Sequence, residues 1–182
     1  MFNIDFTNKT VVVTGGASGI GLAIAEAFLN CGANVVICDR RKSVLEEATK
    51  SIKENIKNRE RILAITCDFS REKDVSMCIS KTLKKFTKID IFVNKAGAWV
   101  STPVLSLKEK DISNMINNNL VTTILGTKYA AKNMTNGGVI INTGSFASKL
   151  SRLGSSFFSV AKSGVEQFTR ISAAELAYKN IR

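Results

Sequence analysis

The amino-acid sequence predicts an α/β fold, in which helices cover both faces of a doubly wound parallel sheet with the strand order 3-2-1-4-5. Three observations lead to this prediction. Short apolar runs alternate with longer segments of helical periodicity, which is typical of parallel strands buried on both faces. The first apolar run leads into a glycine-rich turn, and right-handed crossovers after such a turn favour a doubly wound sheet. The 182 residues, 45% of them hydrophobic, suit one domain with a sizeable core rather than two domains.

The first strand and the turn after it form the stretch VVVTGGASGIG, residues 11–21. A strand that ends in glycines and continues as a helix, here predicted at 20–29, presents free backbone N–H groups at a positive helix end. Such a turn suits a phosphate, because Gly19 lets the backbone approach it and Gly21 lets the helix pack closely on the strand. A glycine-rich loop without a ligand is the alternative interpretation.

The remaining elements follow in regular alternation. Strands are predicted at 33–38, 62–67, 89–94 and 139–143, helices at 43–57, 71–86, 109–133 and 155–179, and a serine-rich loop at 144–153. Ser43 is predicted to cap the second helix, with Glu46 as its capping-box partner. The sequence contains no internal repeat and no linker, so residues 1–182 are predicted to form a single domain.

The chain is strongly basic, with a formal net charge of +11. Its basic clusters, at 40–42, 57–61 and 84–88, fall at predicted helix ends and loops in different parts of the chain, with few aromatic residues among them. A nucleic-acid-binding protein would show a continuous basic face, often with aromatic residues. A solvated lysine-rich surface is therefore the favoured interpretation, and nucleic-acid binding is the weaker alternative.

Other classes of protein are disfavoured by what the sequence lacks. No apolar run approaches the roughly 18 residues that a membrane span requires, and the first residues lack the pattern of an export signal. The four cysteines have no zinc-site or redox-motif spacing, which indicates reduced thiols in the cytoplasm. Histidine is absent. We therefore expect no metal site, and acid–base chemistry would depend on Tyr, Lys, Asp, Glu or Ser.

Asp39 follows the second predicted strand, roughly 20 residues after the glycine turn, where an acid can hydrogen-bond the ribose hydroxyls of a dinucleotide. A carboxylate at this position would repel a 2′-phosphate, so the residue favours NAD over NADP. Arg40 and Arg41 come directly after it and could accept that phosphate, which leaves NADP as the less favoured alternative. An aspartate that only caps a turn is the remaining interpretation.

Several further motifs occur in order along the chain. They are TGGASGIG at 14–21, Cys67-Asp68-Phe69, Asn94-Lys95-Ala96-Gly97, Asn119, Ser145 and Lys162. On these residues the chain resembles the short-chain dehydrogenase/reductase family of the classical type, over essentially its whole length. The resemblance implies a Rossmann-type fold and the transfer of a hydride between a nicotinamide cofactor and a secondary alcohol or ketone.

The resemblance also implies roles for individual residues. The dinucleotide would contact Thr14, Gly15, Ser18, Gly19, Ile20, Gly21, Asp39, Arg40, Asp68, Phe69, Asn94, Ala96, Gly97 and Lys162, with Asp68 and Phe69 beside the adenine. Ser145 would polarise the substrate oxygen, and Asn119 would hold a water in a proton relay. Lys162 would hold the nicotinamide ribose and lower the pKa of a tyrosine that transfers the proton.

The chain departs from the family at the position of that tyrosine. Four residues before Lys162 the sequence has Phe158, and the neighbouring Phe157 offers no hydroxyl either. A tyrosine of pKa about 10 donates a proton near neutrality only beside a cation, and a phenyl ring has no proton to donate. Because loss of a general acid costs about 10²–10⁴ in rate, turnover is predicted to be impaired. A catalytically inactive dinucleotide-binding or scaffold protein is the alternative.

Two further departures concern a charge and the length of the chain. Lys95 stands where the family usually has an asparagine, and it could pair with a phosphate or crowd the turn. Family members continue beyond Arg182 into further strands and helices. The resemblance therefore predicts a fragment or a degraded copy that lacks the last strands of the sheet, and whose fifth strand is a bare edge.

The surroundings of the site are predicted in less detail. Family members usually associate through two long helices, so a homo-oligomer would form here through the helices at 109–133 and 155–179. Trp99, Phe146 and Leu153 are candidates for the substrate side of the site, and packing within the core or a loop explains them equally well.

Overall fold

The computed structural model describes residues 4–182 and confirms the predicted sheet. Five parallel strands lie in the order β3-β2-β1-β4-β5, and they are β1 Thr10–Thr14, β2 Asn34–Asp39, β3 Ile62–Thr66, β4 Ile91–Asn94 and β5 Val139–Asn142. Strand β1 lies at the centre and pairs in parallel with both β2 and β4. Since the strand order reverses between β1 and β4, the carboxyl ends of these strands border a crevice where a ligand can bind.

Helices follow the strands in the predicted alternation. They are α1 Gly19–Asn30, α2 Lys42–Asn55, α3 Glu72–Phe86, α4 Glu109–Ile116, α5 Thr122–Asn133 and α6 Ser156–Leu176, with short 3₁₀ turns at Arg59–Arg61, Val104–Ser106, Phe146–Ser148 and Ala177–Lys179. Within residues 4–182, no helix combines the length and the apolar character that a membrane crossing requires.

Two cores form because the central strand is buried on both faces. Val11 and Val13 point to the face covered by α1 and α2, whereas Val12 points to the face covered by α3 and α5. All three valines are fully buried. The continuous apolar run in β1 is thus a direct consequence of helices on both sides of the sheet.

Two predicted helix features are wrong. Helix α2 begins at Lys42 after Arg41, and no side chain caps it, so Ser43 lies inside the first turn and forms no capping box with Glu46. The predicted helix at 109–133 is interrupted by a π-helical turn at Asn117–Val121, which separates α4 from α5. The apolar spacing alone does not reveal this turn, because one wide turn changes the helical period only locally.

The predicted bare edge of the fifth strand is partly covered. The Ile140 N–H donates to the Arg182 carbonyl at 2.8 Å, and the Arg182 N–H donates to the Gly138 carbonyl at 3.1 Å. Between these contacts, Ile181 is buried in the core on the α3 and α5 side. Residues 180–182 therefore begin to extend the sheet beyond β5.

Candidate functional site

The glycine turn between β1 and α1 forms one wall of the site. Gly15 and Gly19 have φ angles of +64° and +52°, which residues with a Cβ adopt only with strain. A Cβ on Gly15 would lie 3.0 Å from the Cα of Ala96, and a Cβ on Gly21 would collide with the Gly15 carbonyl oxygen. Helix α1 begins at Gly19 without a side-chain cap, so its first N–H groups are available to an anion.

At the carboxyl end of β2, Asp39 and Arg41 form an ion pair. The Asp39 carboxylate accepts hydrogen bonds from the backbone N–H and Nε of Arg41, both at 3.0 Å, and from its Nη2 at 2.9 Å. Burial alone would raise the pKa of Asp39, but these hydrogen bonds outweigh it and hold the pKa below its usual value. Arg41 also donates to the Ser18 hydroxyl at 2.9 Å, which connects β2 with the glycine turn.

Two further charged residues, Arg40 and Asp68, lie near the Asp39–Arg41 ion pair and contact neighbouring elements. Arg40 donates to the side-chain oxygen of Asn118 at 3.0 Å. Asp68 accepts hydrogen bonds from the N–H and the hydroxyl of Ser70 at 3.0 and 2.7 Å. Burial opposes ionisation of Asp68, but the Ser70 hydrogen bonds and nearby arginine charges hold its pKa below the usual value. Phe69 follows directly and is buried.

These residues border a cleft of about 350 Å³ at the carboxyl ends of the strands. It is lined by Gly15, Ser18, Cys38, Asp39, Arg40, Arg41, Cys67, Asp68, Phe69, Lys95, Ala96, Gly97, Ala98, Asn118 and Thr122. More than half of the predicted dinucleotide contacts are in this lining. Gly19, Ile20 and Gly21 stand outside it, at the start of α1, where Ile20 is 68% exposed.

Thr14 and Asn94 lie beneath the cleft and hold its floor in place. The Thr14 hydroxyl accepts hydrogen bonds from the backbone N–H groups of Lys95 and Ala96 at 3.0 and 2.9 Å. The Asn94 side chain donates to the Asn142 side-chain oxygen on β5 at 2.8 Å. Thr14 therefore positions the turn after β4, and Asn94 connects β4 to β5; the resemblance implies that both residues contact the dinucleotide.

Asn118 and Thr122 line the cleft but were not identified from the sequence. Asn118 belongs to the π-helical turn and Thr122 is the first residue of α5. The run of three asparagines at 117–119 is the only local signal. Cys38 and Cys67 also line the cleft and were given no role from the sequence, although each directly precedes a predicted site aspartate; all four cysteines of the chain are free.

Lys162 on α6 forms a second charged centre. Only 5% of Lys162 is exposed, and its Nζ donates to the Thr143 carbonyl at 2.8 Å. Burial and the positive charge of Lys95 lower the pKa of Lys162 to about 8. The Nζ lies 5.8 Å from the centroid of the Phe158 ring. The buried ammonium therefore faces hydrocarbon at the position where the family resemblance predicts a phenol.

Asn119 and Lys162 approach each other at Gly97 of the cleft lining. A Cβ on Gly97 would lie 2.7 Å from Asn119 Oδ1 and 3.8 Å from Lys162 Nζ. Asn119 Nδ2 donates to the carbonyls of Ala98 and Met115 at 2.8 and 3.0 Å, whereas Oδ1 is buried without a hydrogen-bond partner. Such unpartnered buried acceptors are rare, and a donor from a water or a ligand hydroxyl would satisfy this one.

Ser145 and Phe158 lie on the segments that flank Lys162. Ser145 is half-buried and begins the 3₁₀ turn at Phe146–Ser148, where its hydroxyl oxygen accepts from the Ala147 N–H at 3.2 Å. Phe158 lines a smaller cavity of about 80 Å³, which shares Ala98 and Asn118 with the main cleft.

The two tyrosines of the chain lie away from Lys162. The Tyr129 hydroxyl donates to Glu72 on α3 at 3.0 Å, and Tyr178 is 83% exposed. Neither residue lines the main cleft or the smaller cavity. The site therefore has no tyrosine to replace the missing hydroxyl. Residues 4–182 also contain no cluster of three or more acidic or cysteine side chains suited to a metal ion.

Comparisons with known proteins agree with this geometry. The family model described as short chain dehydrogenase matches residues 9–182. A diacetyl reductase, (S)-acetoin forming, of Staphylococcus epidermidis is 33% identical over 177 residues, which cover 96% of this chain and 68% of that protein. The 3-oxoacyl-acyl-carrier-protein reductase FabG of Chlamydia pneumoniae is 33% identical over 186 residues, which cover 99% of this chain and 72% of that protein.

Solved structures show the same likeness in three dimensions. A short chain dehydrogenase from Mycobacterium smegmatis superimposes with a TM-score of 0.93 at 30% identity, covering all of this chain and 76% of the other. Membership of one family therefore explains the sheet order, the glycine turn and the matched residues. The chain belongs to the short-chain dehydrogenase/reductase family of NAD(P)-dependent oxidoreductases.

Proposed function

We propose that this protein binds NAD in the main cleft and transfers a hydride between the nicotinamide and a secondary alcohol or ketone, at a rate strongly reduced by Phe158. One observation carries the reduced rate: the Lys162 ammonium lies 5.8 Å from the centroid of a phenyl ring, at the position where the reaction needs a proton donor. Binding is retained because the cleft does not depend on that residue.

The residues of the cleft fit a dinucleotide. Nothing lies within 4 Å of the Cβ position of Gly19, so a phosphate has room beside the uncapped start of α1. Asn119 Oδ1 has no partner, and the Lys162 ammonium donates one recorded hydrogen bond, which leaves capacity for ribose hydroxyls. When bound, the dinucleotide would supply or accept the hydride.

The preference for NAD over NADP rests on Asp39. Its carboxylate lines the cleft at the end of β2 and stays ionised, because Arg41 lowers its pKa. A carboxylate accepts hydrogen bonds from two ribose hydroxyls and repels a 2′-phosphate. Arg41 directs its guanidinium toward Asp39 and Ser18, so its charge is already partly balanced.

Proton supply limits the proposed reaction. Reduction of a carbonyl leaves an alkoxide that must gain a proton. The Ser145 hydroxyl can donate a hydrogen bond to the substrate oxygen while its own oxygen accepts from Ala147. Phe158, however, contributes hydrocarbon to the smaller cavity, and a proton must then come from Lys162 or from water.

Restoring the phenol tests the proposal. We expect Phe158→Tyr to raise NADH-dependent reduction of small ketones at least about 100-fold, because it restores a general acid beside Lys162. Diacetyl is the first ketone to assay, because the relative from Staphylococcus epidermidis is described as a diacetyl reductase. Initial rates are measured by loss of NADH absorbance at pH 7, with NADPH in parallel.

Phe157→Tyr is the matched control, since it adds the same hydroxyl one residue away and should leave the rate unchanged. Calorimetric titration of the parent protein with NADH and NADPH measures binding independently of turnover. If Phe158→Tyr is folded and binds NADH but gains no rate with any ketone tested, the hydride-transfer part of the proposal is wrong. If NADPH binds more tightly than NADH, the cofactor preference is wrong.

A non-catalytic dinucleotide-binding protein is the second candidate function. The intact main cleft, together with the phenyl ring beside Lys162, favours it. The two candidates differ in a single-turnover experiment with excess protein and NADH, in which the first predicts slow formation of alcohol and the second predicts none.

Self-association and a cytoplasmic location are further parts of the proposal. Helix α6 leaves Val160 and Ile171 about half exposed, which supports association through α6 and the α4 and α5 segment. The free cysteines support a reducing compartment. Sedimentation of the purified protein tests the first point, and fractionation of cells tests the second.

A further inference from the structure

Two basic clusters that are distant in the sequence lie side by side in the fold. They are residues 57–61, which follow α2, and residues 84–88, which end α3 and lead to β4. Lys85 joins them, because its Nζ lies 3.4 Å from Glu60 Oε2 and donates to the Ile62 carbonyl at 3.3 Å. The fold thus unites charges that the sequence places in different parts of the chain.

The positive charge continues along the edge of the sheet where the strands begin. Lys9 directly precedes β1, and Lys88 precedes β4 by three residues. Their Nζ atoms lie 3.4 and 3.3 Å from the carboxylate of Asp90, so the two lysines are neighbours. Because neighbouring strands lie about 4.8 Å apart and β3 is three positions from β4 in the sheet, the charges extend over roughly 15 Å.

Much of this charge has no acidic partner within residues 4–182. We call the surface the basic end, and it consists of Lys9, Lys53, Lys57, Arg59, Arg61, Lys84, Lys85 and Lys88, with Asp5, Glu54, Glu60 and Asp90 as the acids of the same region. Of the eight bases, the described ion pairs include only Lys9, Lys85 and Lys88. The basic end is therefore available to an external anion.

Helix polarity explains part of the basic end. Lys53 lies in the last turn of α2, and Lys84 and Lys85 lie in that of α3, where a positive side chain stabilises the negative helix end. Lys57 and Lys88 are exposed and lie outside the helices, so helix polarity does not account for them. A negatively charged partner gives all these residues one role.

We infer that the basic end binds the phosphate backbone of a nucleic-acid duplex without reading its sequence. Phosphates of a duplex follow one another closely enough for a row of roughly 15 Å to contact several of them. Single strands are bound largely through stacking on aromatic rings. Phe86, the only aromatic residue in the two clusters, is half-buried, with its ring centroid 5.4 Å from Lys85 Nζ. A duplex therefore fits this surface better than a single strand.

An anionic membrane fits the basic end less well. Proteins that bind a membrane surface combine basic residues with apolar side chains that enter the lipid. The loops richest in exposed apolar side chains lie at the opposite end of the sheet, where Trp99 and Leu105 follow β4, and Phe146 and Leu153 follow β5. The charged and the apolar surfaces thus face away from each other.

Binding at the basic end goes beyond the proposed function and does not depend on it. The main cleft lies at the carboxyl ends of the strands, whereas the basic end lies where the strands begin. None of its eight bases lines the cleft. We therefore expect a duplex and a dinucleotide to bind without competition.

The test measures the anisotropy of a fluorescein-labelled DNA duplex of about 20 base pairs during titration with the full chain. Along one strand, at about 3.4 Å per phosphate, roughly 15 Å covers about four phosphates. Release of their counterions should raise the dissociation constant about 150-fold between about 50 and 200 mM NaCl.

A triple variant locates the site. Lys53→Gln, Lys57→Gln and Lys84→Gln together remove three exposed charges of the basic end. We expect binding at about 50 mM NaCl to weaken at least about tenfold, and the slope of log Kd against log salt to fall by about two to three. Circular dichroism checks that the variant is folded.

The matched control removes the same net charge at the other end of the molecule. Lys42→Gln, Lys108→Gln and Lys110→Gln change exposed lysines at the start of α2 and α4. This variant should bind the duplex within about twofold of the parent, because its charges lie away from the contact. Equal weakening by the two triple variants would overturn the inference, since net charge alone would then attract the duplex.

Three competitors complete the test. Saturating NADH should leave duplex binding unchanged, and displacement by NADH would place the duplex in the main cleft and overturn the inference. Vesicles of equal parts phosphatidylserine and phosphatidylcholine should displace the duplex poorly at the same phosphate concentration, and so should an unlabelled single strand. Stronger displacement by either than by the unlabelled duplex would overturn the inference, as would a parent protein that binds no duplex at about 50 mM NaCl.

Discussion

At the scale of single residues, the two charged centres of the site differ in how their buried charges are balanced. Asp39 is buried and held by three hydrogen bonds from Arg41, so its negative charge has a partner. Lys162 is equally buried, but its positive charge meets a carbonyl oxygen and a phenyl ring. One of these two buried charges is therefore balanced by an opposite charge, and the other is not.

The Asp39 pair predicts a pH-dependent stability. Arg41→Met removes the two side-chain hydrogen bonds to Asp39 and the one to Ser18, and we expect a loss of about 1 kcal/mol in the free energy of unfolding at pH 7. The lowered pKa of Asp39 stabilises the fold above the unfolded-state pKa of about 3.9, and this contribution is lost as the pH falls through the folded-state pKa. The difference between parent and variant should thus shrink at pH 3. Urea unfolding at both pH values measures it, and a larger difference at pH 3 would contradict the assignment.

The sequence predicted which residue types lie at each end, and the contacts between them came from the structure. Asp39 could be recognised by its distance from the glycine turn, yet its pairing with Arg41 depends on a backbone bend at the end of β2. Thr14 and Asn94 belong to recognisable motifs, but a motif does not say which face of the backbone a side chain occupies. Their inward orientation follows from the burial of β1 and β4.

At the scale of elements, hydrogen-bonded side chains connect the strands and helices behind the site. Asn142 on β5 accepts from Asn94 on β4 at 2.8 Å and donates to the Thr169 hydroxyl on α6 at 2.9 Å. The next residue, Thr143, offers the carbonyl that holds Lys162. The position of the ammonium thus depends on how β5 is fixed to its neighbours.

Removing this link should destabilise the fold. Asn142→Ala leaves the Asn94 amide and the Thr169 hydroxyl without their shared partner, and we expect a loss of about 2 kcal/mol. Urea denaturation measures the change. The exposed Asn136→Ala is the control, with an expected change below about 0.5 kcal/mol. Equal effects of the two substitutions would show that the link contributes nothing.

Helix interruptions were the elements least accessible to sequence reasoning. The apolar spacing at 109–133 is compatible with one helix, and only the structure reveals the π-helical turn at Asn117–Val121. That turn carries Asn118, which binds Arg40, and Asn119, which approaches Gly97. A local defect in the helix therefore delivers two residues to the site, in agreement with the frequent occurrence of such turns at functional sites.

At the scale of the whole molecule, periodicity determined most of what could be predicted. The continuous apolar runs indicated strands that are buried on both faces. The parallel sheet and its strand order could be predicted from them, because few arrangements cover such strands with short right-handed connections. The covering of β5 was not predictable. Residues 180–182 pair with it through main-chain hydrogen bonds, for which side-chain patterns give little indication.

The buried contact at this edge supports a stability prediction. Ile181 is 3% exposed in the core, so Ile181→Ala should cost about 2–5 kcal/mol through lost burial and a residual cavity. Ile171→Ala makes the same chemical change at a position that is 49% exposed, and should cost less than about 1 kcal/mol. Thermal unfolding compares them. Similar melting temperatures for both variants would show that residues 180–182 are not part of the cooperative fold.

The lining shared by the two cavities has a consequence for how ligands influence each other. Ala98 and Asn118 border both the main cleft and the smaller cavity, and Arg40 holds Asn118 from the charged end. A ligand that displaces Arg40 therefore also frees the Asn118 side chain, which borders the cavity that Phe158 lines. Affinities at the two places are then coupled, and by thermodynamic reciprocity each ligand changes the binding of the other by the same factor.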